Sequence, residues 1–140
     1  MNIRFIVQYD GTRYEGWQRQ VRTKETIQGK LEQAIAQVTG ETVQIQGAGR
    51  TDAGVHSRGQ TANVRLKKKV DILQFEDRVN RALPSDIAIL DSRKVPDNFH
   101  SRFGARSKLY VYRIRTGSHK DVFHRRFIWQ YGEKLDIKAM

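Results

Sequence analysis

The ten residues from Gly47 to His56, GAGRTDAGVH, hold one carboxylate, one guanidinium and three glycines. A lone carboxylate can attack an electrophilic carbon or withdraw a proton, and an arginine close by favours its ionised form. Arg50 stands two residues before Asp52, so in extended chain both side chains leave the backbone on the same side. A plainer reading has Asp52 capping a turn in which Gly54 takes a positive φ, with Arg50 and Asp52 as a surface ion pair of little energetic worth. A phosphate cradle is excluded. The glycines fall as GxGxxxxG, no Lys-Ser/Thr ending follows, and the next segment reads as a strand where a helix N-terminus is needed. The acidic side chain would also repel a pyrophosphate.

Such a loop needs a rigid frame. Ile3, Phe5, Val7 and Tyr9 alternate with Arg4, Ile6 and Gln8, the period of a strand. DGTRYEGWQRQVRTKE, rich in glycine and charge, reads as a long loop. Ile27, Leu31, Ala34, Ile35 and Val38 recur at helical spacing, with Thr26 as N-cap and Gly40 as the stop. ETVQIQGAG and GQTANVRLKKK are the second and third strands. A second helix opens with the capping pattern of Asp71 and Gln74, buries Ile72, Phe75, Val79, Ala82 and Leu83, and ends at Pro84. DIAILDSRKV is a fourth strand, SKLYVYRIRTG a fifth, RFIWQYG a sixth. Tyr110, Tyr112 and Ile114 alternate onto one face, and Tyr112 is assigned to the core. The order predicts an α+β, ferredoxin-like β-α-β-β-α-β fold: an antiparallel sheet with helices on one face, plus one or two extra strands. Residues 1–133 read as one domain. Residues 134–140, with Leu135, Ile137 and Met140, read as the start of a helix leading to a further domain.

The chain of 140 residues is long enough for a core without staples, and its 38% hydrophobic content argues against disorder. Its formal net charge is +11, and both halves are basic: 12 basic against 6 acidic residues up to 70, and 14 against 9 beyond. A folded domain basic throughout most often meets a polyanion, nucleic acid being the commonest. Cysteine is absent, so neither disulfides nor thiolate metal sites can form, and the scattered histidines 56, 100, 119 and 124 suggest no zinc site. No apolar run reaches membrane-spanning length and no signal peptide precedes the first strand, so the expected location is cytoplasmic. From His100 to Arg126 the sequence carries eight Lys and Arg and one acid, Asp121, which suits a phosphate track or a solvated face.

GRTDAGVH (Gly49–His56) resembles the catalytic signature of the TruA-type tRNA pseudouridine synthases. YDGTRYEGWQRQ (Tyr9–Gln20), NRALPSDIAI (Asn80–Ile89) and FHSRFGARSKLYVYRI (Phe99–Ile114) match the same family in order and spacing. The resemblance implies isomerisation of uridine to pseudouridine in the tRNA anticodon stem-loop, without cofactor or metal, by a homodimer. It places the catalytic aspartate at Asp52, the arginine that displaces the target base at Arg50 and the active-site tyrosine at Tyr110. Arg58, His100, Arg102, Arg106 and Lys108 are the expected RNA contacts. Lys108 stands where the family has an arginine, and Ser101 where it has an alanine. The match covers the family's N-terminal half, so a C-terminal half is expected to complete a basic cleft.

The chemistry suits one carboxylate. The C1′–N1 bond of uridine breaks and C1′ rejoins C5 of the same base, so no water need be activated as in a glycosidase. Asp52 would either attack C1′ or remove the 2′ proton. The base must first leave its stack, a cost of a few kcal/mol, with Arg50 filling the gap. Tyr110 would stack on the flipped uracil and assist loss of the C5 proton. Trp17 either touches RNA or is buried to anchor its loop. A non-catalytic module of the RNA-recognition-motif type is the alternative, and a ribosomal or assembly component a third; neither accounts for GRTDAG.

Overall fold

The computed structural model describes residues 1–140. Strand β1 (Asn2–Tyr9) buries Ile3, Phe5, Val7 and Tyr9 on one face, as its alternation requires. Helix α1 (Ile27–Thr39) starts where Thr26 Oγ1 accepts the Gly29 N–H at 3.2 Å and stops at Gly40, whose φ of 73° is left-handed. Helix α2 (Ile72–Ala82) starts where the Asp71 carboxylate accepts the Gln74 N–H at 2.9 Å. Strands β2 (Ile45–Gly47), β3 (Ser57–Arg65) and β4 (Ile87–Val95) join β1 in the order β2-β3-β1-β4, every neighbouring pair antiparallel. This is the expected split β-α-β topology. Leu31 and Ile35 of α1 and Phe75 and Val79 of α2 close the core over Ile3, Phe5, Val7, Ala62, Val64 and Ile89.

Two local departures stand out. β2 is shorter than expected, and Glu41 ahead of it is used otherwise. Its carboxylate accepts the N–H groups of Lys67 and Lys68 at 2.8 and 2.9 Å, bonds that hold its carboxyl below the usual range. The LKKK run after β3 is thus fastened by its main chain. β4 bulges opposite Phe5, where Asp91 takes a φ of 52° and its carboxylate bridges Arg4 at 2.8 Å and Arg93 at 2.6 Å.

At the other end of β1 from Tyr9, buried amides anchor the chain that leaves β4. Asn2 Nδ2 donates to the carbonyls of Pro96 at 3.1 Å and Phe99 at 2.9 Å. Asn63 Nδ2 donates to Asn2 Oδ1 at 3.0 Å, and Asn63 Oδ1 accepts the Ser101 N–H at 2.9 Å.

The chain divides into two compact units, Met1–Arg106 and Ser107–Met140. In the second, β5 (Ile114–Arg115) pairs in parallel with β6 (Trp129–Gln130). The long fifth and sixth strands expected from alternation therefore shrink to two residues each. Tyr112, assigned to the core, is 89% exposed, because alternation gives a segment strand character but supplies no element to cover it. Asp121, the lone acid of this basic stretch, organises the unit. It accepts from His124 N and Arg115 Nη1, both at 3.0 Å, and its main chain is paired both ways with the Gln130 amide. These bonds, the His124 N–H foremost, lower its carboxyl below the usual range. Residues 137–139, where apolar spacing suggested a helix opening, form a turn.

The hydroxyl of Ser101 is buried without a hydrogen-bond partner. Ser101→Ala should therefore leave stability unchanged or raise it by up to about 1 kcal/mol in urea unfolding, since an unmet donor is removed. A loss of about 1 kcal/mol or more would show that the hydroxyl is bonded.

Candidate active site

The loop between β2 and β3 has no regular structure, yet its main chain is tied down along its length. Ala48 N donates to Thr61 O at 2.8 Å, and Gln60 Nε2 to Gly49 O at 3.1 Å. Thr51 is held twice, its carbonyl by Trp17 N at 2.9 Å and its hydroxyl by Tyr9 Oη at 2.8 Å. Val55 N donates to Asp52 O at 3.2 Å, closing a turn whose third residue, Gly54, has a φ of 77°. Gly54 N then reaches Tyr14 O at 3.2 Å, and His56 Nδ1 accepts from Gly11 N at 3.1 Å. The indole of Trp17 is 2% exposed and lies over the end of β2, where a Cβ on Gly47 would come within 2.5 Å of it. Gly47 thus serves close packing and Gly54 a turn, and Trp17 is a buried anchor.

What the loop leaves over are charged side chains. The turn uses the main-chain carbonyl of Asp52 and does not use its carboxylate, which is exposed. Arg50 is exposed too, and the two form no ion pair with each other. Arg58, also exposed, lies at the start of β3. These three share one loop and its exit. His100 lies elsewhere in the unit. Its neighbour Ser101 is fastened beside Asn2, seven residue steps along β1 from Tyr9, or about 23 Å of strand. His100 Nδ1 accepts the N–H groups of Arg102 at 3.1 Å and Phe103 at 3.4 Å, so it caps its own turn. Arg102 and Arg106 follow it, both exposed, while Lys108 and Tyr110 belong to the second unit and are exposed there.

Sequence reasoning missed the residues that brace the loop from behind. Tyr14, buried, donates its hydroxyl to Asp86 Oδ1 at 2.6 Å, and Arg13 Nε donates to Asp86 Oδ2 at 2.8 Å. Asp86 O accepts Asp10 N at 3.0 Å. One carboxylate before β4 therefore fixes the segment whose Tyr14 carbonyl holds Gly54. Burial, reinforced by the Asp86 hydrogen bond, pushes the Tyr14 phenol up to about 12. Glu32 fastens the rest of the long loop: its carboxylate accepts from Arg19 Nη1, Gln28 Nε2 and Ile45 N at 3.0, 2.9 and 3.0 Å. Pro-Ser-Asp before a strand signals a turn, and nothing local in it signals Tyr14.

Two outcomes follow from this bracing. Gly47→Ala must displace the Trp17 indole and should cost about 1–3 kcal/mol of stability in urea unfolding, where an unchanged midpoint would refute the close contact. Tyr14 titrates near 12 when folded and near 10 when unfolded, so its neutral form contributes stability that is fully present below about pH 10 and lost as pH rises through about 12. Tyr14→Phe should abolish that alkaline loss in unfolding measured across the window; a wild-type-like slope would refute it.

The sequence profile of the family described as tRNA pseudouridine synthase matches residues 5–104. Among curated proteins, tRNA pseudouridine synthase A of Bacillus sp. (strain KSM-64) is 42% identical over 139 residues, covering 99% of this chain and 57% of that protein. Its counterpart in Clostridium kluyveri is 44% identical over 139 residues, with the same coverage of 99% and 57%. The protein called tRNA pseudouridine synthase A 2 in Clostridium tetani is 43% identical over 140 residues, 99% of this chain and 56% of its own. The chain thus spans a little over half the length of the curated relatives it matches. The profile match takes in most of the four-stranded sheet, the braced loop and the carboxylate it displays, and by that match the chain belongs to the tRNA pseudouridine synthase family.

Proposed function

We propose that this chain carries the catalytic residues of a tRNA pseudouridine synthase acting on uridine in the anticodon stem-loop. The observation that supports this most is the state of Asp52: its main chain closes a braced turn while its carboxylate is exposed and uncommitted. The names of the relatives, tRNA pseudouridine synthase A, support tRNA as the substrate.

Asp52 acts at the ribose, by attack on C1′ or by removal of the 2′ proton. In either route the uracil is retained and rejoined through C5, so a single carboxylate suffices and no second acid is needed for a departing base. Arg50, two residues earlier on the same fixed loop, enters the space the flipped nucleotide leaves, its planar cation able to stack and to bond phosphate. Tyr110 stacks on the uracil and assists loss of the C5 proton. Arg58, His100, Arg102, Arg106 and Lys108 bind the RNA backbone. His100, whose Nδ1 caps a turn, has Nε2 for that contact. The working form is a cytoplasmic homodimer, and in a protein of the relatives' length the additional residues complete the cleft.

A full-length protein given tRNA tritiated at uridine C5 should release tritium to water. Asp52→Ala should lower release about a thousandfold or more with tRNA affinity near wild type. No release by the wild type, as from a binding module, contradicts the proposal. So does a variant in which affinity and rate fall together, which would make Asp52 a structural residue.

A further inference from the structure

His56 closes the motif that carries Asp52, and the proposed chemistry gives it no task. Its imidazole is about three-quarters buried, with a side-chain exposure of 27%. The same ring nitrogen, Nδ1, lies 3.1 Å from the Gly11 N–H and 3.1 Å from Asp10 Oδ1. These two contacts demand opposite states. The Gly11 N–H needs an unprotonated Nδ1 to accept it, whereas Asp10 could be met only by a protonated Nδ1 that donates.

The surroundings decide between them. Gly11 is buried, a side chain there would collide with the Val55 carbonyl, and its N–H points at the His56 ring. Left unmet, a buried N–H is costly. Asp10 Oδ1 has no such need, since it already accepts from Thr12 N at 3.0 Å and Thr12 Oγ1 at 2.5 Å. Arg50, Asp52 and, in β3, Arg58 are the charged residues beside His56 in the chain, and Asp86 is bonded through its carbonyl to Asp10 N. The Asp86 carboxylate is committed to Tyr14 and Arg13. A neutral ring with its proton on Nε2 meets the Gly11 N–H and leaves Asp10 to its Thr12 donors.

We infer that His56 is a positioning residue for Asp52: its unprotonated Nδ1 accepts the Gly11 N–H and stitches the end of the loop to the turn after β1. The inference rests on the proposed function for its kinetic consequence and on geometry alone for the hydrogen bond. A second proton on acidification turns Nδ1 from acceptor to donor. The stitch to Gly11 is exchanged for an ion pair with Asp10, and the Asp52–Val55 turn immediately before it loses one of its ties.

The test joins nitrogen NMR of the imidazole to pH–rate profiles of the full-length protein, with His56→Asn, which keeps an oxygen acceptor near the Nδ1 position, and His56→Ala, which does not. At neutral pH the proton should sit on Nε2. The wild-type kcat should fall on acidification in step with the second protonation of His56. His56→Asn should keep kcat within about threefold and lose that acid limb, while His56→Ala loses about tenfold or more in kcat with little change in KM. A proton found on Nδ1 at neutral pH, or an acid limb unchanged in His56→Asn, overturns the inference. An inactive wild type overturns the functional reading and the kinetic role of His56 with it, whereas the tautomer still decides the hydrogen bond.

Discussion

Two irregular segments hold each other in place, and the candidate site exists because they do. Residues 11–17, a single 3-10 turn (Gly11–Arg13) followed by irregular chain, and residues 51–56 lie outside the sheet and the α-helices, yet their main chains are bonded at Trp17–Thr51, Tyr14–Gly54 and, through an imidazole, Gly11–His56. Backbone groups so enclosed must find partners, and here each segment supplies them for the other. The pairing is possible because Trp17 seals one side against Gly47 and Asp86 pins Tyr14 and Arg13 on the other. A loop satisfied through its backbone can leave its side chains to a ligand. Asp52 and Arg50 are the ones left.

The same logic explains why the question of turn against chemistry at Asp52 has no exclusive answer. The turn is real, with Gly54 at positive φ, but the carbonyl of Asp52 closes it. A side-chain cap would have consumed the carboxylate. Within the second unit, Asp121, the one acid between His100 and Arg126, is taken up by Arg115 and His124, leaving the rest of that stretch basic.

What could be read from the sequence was what short-range physics decides. Thr26, Gly40 and Asp71 act within three residues of themselves, and the alternation of Ile3, Phe5, Val7 and Tyr9 specifies a face whatever covers it. The β2-β3-β1-β4 sheet followed from those elements in order. The braces were not legible, because Tyr14 and Asp86 lie 72 residues apart and Asn2 and Phe99 lie 97 apart, with no period linking them. Tyr112 failed for the complementary reason: its spacing describes a strand, and residues 107–113 form none. The motif residues Arg50, Asp52 and Arg58 were legible as a charged loop, but its rigidity was not.

That rigidity is the central claim, and amide hydrogen exchange in the native protein measures it directly. The N–H groups of Trp17, Gly54 and Gly11 should exchange as slowly as those of the β1–β3 ladder, although none of them belongs to a strand or an α-helix. Exchange of these amides at the rate of an open surface loop would contradict the account, for Asp52 would then ride on a mobile segment with no fixed position from which to act.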